Sequence, residues 1–210
     1  MHRILTIALV ALAAPAVAAE EAEKAFDPAS VSVVDAINCH LDAPTYNGFA
    51  LSVAGDDGIA RQRGWLKVET GNPFLLEYDL PEPITITGAY ATRRIAFSSS
   101  GVMAVLDLAD PAVIARDEGI ANAADPTALI DALVAEGKAT RAQIEADMPF
   151  AKFLGERVLV DLTEPASEDD NFGTHTVIAR SISNVTTHPG KTLYGCSYRI
   201  EMLDKDGKPL

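Results

Sequence analysis

From residue 46 to residue 107 the chain reads as short runs in which apolar and polar positions alternate. Phe49, Leu51 and Val53 alternate with small or polar neighbours, and Ala54-Gly55-Asp56-Asp57-Gly58 follows, which predicts a strand from Tyr46 ending in a hairpin turn. The same rhythm recurs over 65–69, 74–80, 84–87, 93–98 and 102–107, punctuated by Gly71-Asn72-Pro73, Pro81-Glu82-Pro83, Gly88 and Ser99-Ser100-Gly101. Short strands joined by tight turns predict an antiparallel meander. Within 74–80, Phe74, Leu76, Tyr78 and Leu80 share one face, and Leu75, Glu77 and Asp79 share the other. One face is therefore expected to be apolar and the other mostly wet.

Helical signals frame this meander. Asp27-Pro28 has the form of an N-cap followed by proline at the first helical position, and Val31, Val34 and Ile37 then recur at helical spacing, predicting a helix within 29–41. Asp110-Pro111 and Asp125-Pro126 repeat the signal. Leu129, Ile130, Leu133 and Val134 form an apolar stripe that Gly137 ends, and Thr140 with Gln143 makes a capping box that opens a third helix toward Met148. Strands resume at 158–162, 174–182 and 193–203. The fold class expected is α+β, mainly antiparallel: an incompletely closed β-barrel or strongly curved sheet, with helices over about 110–155 covering its apolar face.

The first nineteen residues change the picture of where such a domain works. Arg3, an apolar stretch over 4–14 and the small-x-small pattern Ala16-Val17-Ala18 predict a cleaved signal peptide over 1–19 and a single globular domain over 20–210. The apolar stretch is shorter than the roughly 20 residues of a spanning helix, so no integral membrane segment is expected in the mature chain, and the expected location is the periplasm. The formal net charge of −13 argues against nucleic acid as a partner. The acidic triplet Glu168-Asp169-Asp170 lacks the ligand spacing and glycine of a calcium loop and reads as a solvated turn.

Cys39 and Cys196 are the only cysteines, an even count in an exported chain, which predicts one disulfide. The phase of 193–203 agrees, because Tyr194, Cys196, Tyr198, Ile200 and Met202 share a face. A reactive Cys39 beside His40 is the competing reading; there is no C-x-x-C. Beyond the leader, His40, His175 and His188 are isolated in sequence, with no metal-ligand pair, no nucleophile elbow and no phosphate-binding glycine loop. No catalytic residue, metal or cofactor is assigned. Ser98-Ser99-Ser100-Gly101 reads as a polar turn, and Asn184-Val185-Thr186 matches a glycosylation acceptor only in form.

Three segments carry a resemblance. Leu41-Asp-Ala-Pro-Thr-Tyr-Asn-Gly-Phe49, then Gly58 through Gly64-Trp65-Leu66-Lys67-Val68, then Pro73-Phe74-Leu75-Leu76-Glu77-Tyr78-Asp79-Leu80-Pro81 resemble the opening of the periplasmic outer-membrane lipoprotein carrier family, and Pro149-Phe150-Ala151-Lys152-Phe153-Leu154 resembles a later short helix of those proteins. The resemblance covers about a third of the chain. It implies an unclosed half-barrel whose concave apolar face takes acyl chains. Where those carriers have a Lys-Arg-Pro turn, this chain has Glu69-Thr70-Gly71, so transfer of lipoproteins is not implied.

The function expected is that of a periplasmic, non-enzymatic carrier or binding protein for a lipid, a lipoprotein acyl chain or another hydrophobic ligand. Its ligand-binding candidates are Phe74, Leu76, Tyr78, Ile86, Phe97 and Phe150. Alternation reports burial rather than a cavity, so the same residues also read as ordinary core. Two alternatives stay open: an envelope protein-interaction module, with envelope proteins as its partners, and a secreted hydrolase in which a histidine meets a carboxylate and a serine in space.

Overall fold

The computed structural model describes residues 26–148, 150–167 and 171–210. The expected leader, Pro149 and the acidic triplet lie outside the described residues. A short 3-10 turn, Pro28–Ser30, precedes α1 (Val33–Ile37), α2 (Ala43–Leu51) and α3 (Ile59–Gln62). The meander follows as β1 (Leu66–Val68), β2 (Leu76–Thr87), β3 (Tyr90–Phe97) and β4 (Gly101–Leu106). After α4 (Pro111–Asp117), α5 (Thr127–Ala135) and α6 (Arg141–Asp147), the chain ends in β5 (Leu154–Glu164), β6 (Gly173–Ser183) and β7 (Thr192–Leu203). The seven strands of the described residues join one antiparallel sheet in the order β1-β2-β3-β4-β7-β6-β5. The sheet is curved but not closed into a barrel, as expected, and β1 and β5 are its two edges. Among the described residues no helix is long and apolar enough to cross a membrane.

The strand expected from Tyr46 is corrected. Residues 46–53 do not form a strand; 43–51 form α2. Asp42 caps this helix by accepting from the Thr45 N–H at 2.7 Å, and Pro44 occupies its first turn. Phe49 and Val53 are four apart, a spacing that fits alternation and a helical face equally. Tyr46 completes the helical face and is buried with both, whereas Leu51, which only the strand pattern would bury, is 87% exposed. The expected break at Pro81-Glu82-Pro83 is also absorbed differently: β2 runs through it as one strand with a register shift between Asp79 and Ile84.

The core lies between one face of the sheet and the N-terminal helices. Tyr46, Phe49, Tyr78, Phe97 and Tyr198 interlock there; the rings of Tyr46 and Tyr198 stack at 4.1 Å, and Tyr78 meets Phe97 edge-on at 6.3 Å. Packing is set by α1 and α2 against β7, with α1 also on β2 and β4. Of the helices expected over 110–155, α4 helps cover this face through Ile114 and Ala115, α5 buries only Ile130, and α6 packs on α5. The sheet's far end is open: among the described residues β5 pairs only with β6, and it exposes Val158, Leu159, Val160 and Leu162.

Two long-range ties fasten α1 to the C-terminal strands. Cys39 and Cys196 are bonded, with Cα atoms 5.3 Å apart. Arg180 of β6 donates to the carbonyls of Ile37 and Asn38 at 2.7 and 3.0 Å, which answers the unpaired carbonyls at the end of α1, and its guanidinium lies 4.6 Å from the Tyr194 ring. Nearby, Tyr198 donates to the Ala36 carbonyl at 2.7 Å and Tyr194 to Glu118 at 2.7 Å.

Burial, joined at Tyr194 by the hydrogen bond to Glu118, pushes the phenols of Tyr46, Tyr194 and Tyr198 well above the ordinary tyrosine range. Above about pH 10 the unfolded chain releases phenolic protons that the folded chain retains. Stability is therefore expected to be fully present below that pH and to fall as pH rises, by about 1.4 kcal/mol per pH unit for each tyrosine that stays protonated. Urea unfolding across this range, with tyrosinate absorbance followed in parallel, checks the slope. All five tyrosines ionising near pH 10 without unfolding would contradict it.

Candidate functional site

The face of the sheet turned away from α1 and α2 is not uniformly wet. Glu77 of β2 stands opposite Val68 of β1 and Ala96 of β3, and its side chain is fully buried. The expectation that it shares a solvated face is corrected by the 184–191 connection between β6 and β7. That turn closes on itself through the His188 N–H to Val185 and the Lys191 N–H to His188, and it covers the face beside Ala96, Val105 and Leu193. It brings His188, 8% exposed, to Glu77: Nε2 lies 2.7 Å from Oε1. The contact is close but not an aligned hydrogen bond, and among the described residues neither Glu77 oxygen has a hydrogen-bond donor. The other ring nitrogen, Nδ1, is 3.0 Å from the Thr187 hydroxyl. On the same face Arg94 grips Asp79 with two donors at 2.9 and 3.0 Å; that hydrogen bond, aided by the charges of Asp79, Glu77 and Asp107, holds its guanidinium above the ordinary value.

A second built feature lies next to this pair. The segment 150–154 has no helix of its own, and two asparagines fix it. Asn184 accepts from the Phe153 N–H at 2.8 Å and donates to the Ala151 carbonyl at 2.9 Å; Asn122 donates to the Lys152 carbonyl at 2.9 Å and accepts from the Leu154 N–H at 2.9 Å. Both side-chain amide atoms of Asn184 are thus spent inside the protein, and the residue is buried, which removes it as a modification acceptor. The Lys152 ammonium donates to the Asn184 carbonyl, and burial pushes it below the ordinary lysine range.

Three clefts line up around this segment and the turn before β2. The first, about 470 Å³, has Phe74, Leu76, Phe97, Val53 and Ala50 among its walls. The next, about 410 Å³, has Phe74, Phe150, Lys152 and Thr187. The third, about 590 Å³, runs under α4–α6 past Phe150, Lys152, Phe153, Ile130 and Met148. Phe74 is common to the first two and Phe150 to the last two. Four of the six sequence candidates, Phe74, Leu76, Phe97 and Phe150, therefore line these clefts. Tyr78 borders a separate cleft of about 340 Å³ beside Trp65, and Ile86 is buried in the core. Phe74 is 83% exposed, an apolar ring standing in solvent at the seam of two clefts.

The remaining histidines are apart from this site. His40 lies 3.4 Å from Asp35, and His175 lies 2.8 Å from Asp161. With Cys39 in the disulfide, a Cys39–His40 reactive pair is ruled out. Among the described residues no group of three or more His, Cys, Asp or Glu side chains is placed to hold a metal ion. Sequence reading assigned no role at this site to Lys152, Asn122 or Asn184, noting Asn184 only as an acceptor pattern and Lys152 only within the 149–154 motif. The available signals were a lone cation inside the apolar run 150–154 and, for Glu77, an acid amid Leu75, Leu76 and Tyr78. Comparison with family models, with curated proteins and with solved structures returned no match.

Proposed function

We propose that this chain is an exported, non-enzymatic binding protein for a lipid or similar hydrophobic ligand, whose apolar part lies along the clefts joined at Phe74 and Phe150. The carrying observation is their adjacency: three clefts, with apolar side chains on their walls, share a lining ring between each neighbouring pair. The disulfide supports an oxidising compartment. The rings beneath α1 and α2 are packed against one another, which favours the clefts over that face as the place for a ligand.

Chloroform-methanol extraction of the purified protein, followed by mass spectrometry, is expected to release a bound lipid, and the neutral apolar probe N-phenyl-1-naphthylamine is expected to bind the delipidated protein. Phe74→Ala and Phe150→Ala should each weaken the probe about tenfold, the loss of a buried ring contact worth 1–2 kcal/mol. Finding no lipid and no probe uptake would overturn the reading.

A second reading rests on His188. It meets a carboxylate, Glu77, and a hydroxyl, that of Thr187 rather than a serine, and Thr187 faces the cleft shared by Phe74 and Phe150. This arrangement supports hydrolysis of an ester held in the cleft. Turnover of p-nitrophenyl butyrate that is lost in Thr187→Val and His188→Gln would favour it over simple binding; no turnover above buffer retires it.

A further inference from the structure

Three cations line the clefts, and they are not alike. Lys67 lies 3.2 Å from Glu69, and Arg141 is paired with Asp131 and Glu145. Lys152 alone of the three has no carboxylate within ion-pairing reach among the described residues. One of its three ammonium protons goes to the Asn184 carbonyl, which leaves two donors without an ionic partner. Its position is built, since Asn122 and Asn184 hold the backbone on both sides of it, and it stands on the wall of both clefts that meet at Phe150. Half-buried and partly desolvated, this ammonium gains from an anion that arrives with its own apolar surface.

The charge of the anion is bounded by its surroundings. The chain carries a formal net charge of −13, and Asp110, Asp125 and Glu145 border the 590 Å³ cleft. A small free anion or a dianion is repelled by this field. A single negative charge attached to a hydrocarbon chain is drawn in by burial and needs only one cation. We propose that the clefts take a long-chain monocarboxylate, with its head group on the Lys152 ammonium and its chain running past Phe150. This assignment rests on the binding reading above and adds the chemical class of the ligand.

The test uses the full mature chain with cis-parinaric acid, a fluorescent long-chain carboxylate, and with its methyl ester, which keeps the chain and removes the charge. Lys152→Met is expected to weaken the acid about tenfold or more, the range for a lost charged hydrogen bond, and to leave the ester within about twofold. Lys152→Arg should retain most of the acid's affinity. Lauric acid should displace the probe better than dodecyl phosphate, and inorganic phosphate should not displace it. Equal losses for acid and ester in Lys152→Met, no loss for either, or preferential displacement by dodecyl phosphate would overturn the assignment while leaving hydrophobic binding intact. If wild-type protein binds neither acid nor ester, the binding reading itself fails and the assignment with it. Thermal melting of both variants confirms that the comparison is made on folded protein.

Discussion

Replacing Cys39 and Cys196 together by alanine is expected to lower stability by roughly 2–5 kcal/mol and the melting temperature by roughly 5–15 °C. The two residues are 157 apart in sequence, so the bond closes a loop of nearly the whole folded chain, and on the chain-entropy account that loop restrains the unfolded state by about 5 kcal/mol. The bond also holds a particular backbone. Cys39 follows α1 with φ at +59°, a left-handed conformation that favours glycine, and its N–H bonds to the Ala36 carbonyl at 3.3 Å. The disulfide therefore fixes a helix end in a conformation its side chain does not favour. Differential scanning calorimetry of the double variant checks the size of the loss. Two titratable thiols in protein purified from an oxidising compartment would contradict the assignment, as would a melting temperature unchanged by the substitutions.

The second large effect is expected at Glu77 and His188. A carboxyl group with no exposed surface and, among the described residues, no aligned donor depends on the imidazole at 2.7 Å. His188→Ala should therefore cost roughly 3–5 kcal/mol, because it leaves a polar group buried and uncompensated. Removing both partners in an apolar pair, Glu77→Leu with His188→Leu, should recover much of that loss. Urea denaturation of the two single variants and the double variant measures the coupling directly. Single variants that each cost under about 1 kcal/mol would show that the pair does not bear on stability.

Local signals account for most of what the sequence made legible. Asp27, Asp110 and Asp125 each accept from a backbone N–H two residues on, and Thr140 with Gln143 forms the full capping box, because these bonds depend only on neighbours. The phase of Cys196 in β7 was readable for the same reason, since alternation puts Tyr194, Cys196 and Tyr198 on one face; which faces are covered was not, because β7 is buried on both from Thr192 to Tyr198 and exposes Ile200 and Met202. The helix α2 was missed at Asp42-Ala43-Pro44, where proline stands one place further along than in the other Asp-Pro starts. Glu77 was misplaced because alternation assigns faces but cannot show that the turn carrying His188, far later in the chain, folds over one of them. The clefts were out of reach on the same ground. Phe74 reaches the site from the turn before β2, Phe150 from the segment before β5, and Thr187 from the turn before β7, so their meeting is a property of topology alone.

The position of β7 has a consequence for how the chain assembles. It is the last strand in sequence, yet it lies between β4 and β6, and it carries Cys196 and Tyr198, which fasten α1. A chain that stops before Thr192 has two separate fragments of sheet, β1–β4 and β5–β6, and the N-terminal helices can meet β2 and β4 but lack the surface, the disulfide and the Tyr198 bond that β7 supplies. Completion of the core is thus deferred until the final dozen strand residues arrive, and its long-range closures set the pace. Until then the polypeptide can be threaded or held extended without undoing a finished structure, and the entry of β7 both joins the two fragments of sheet and brings Cys196 and Tyr198 to α1.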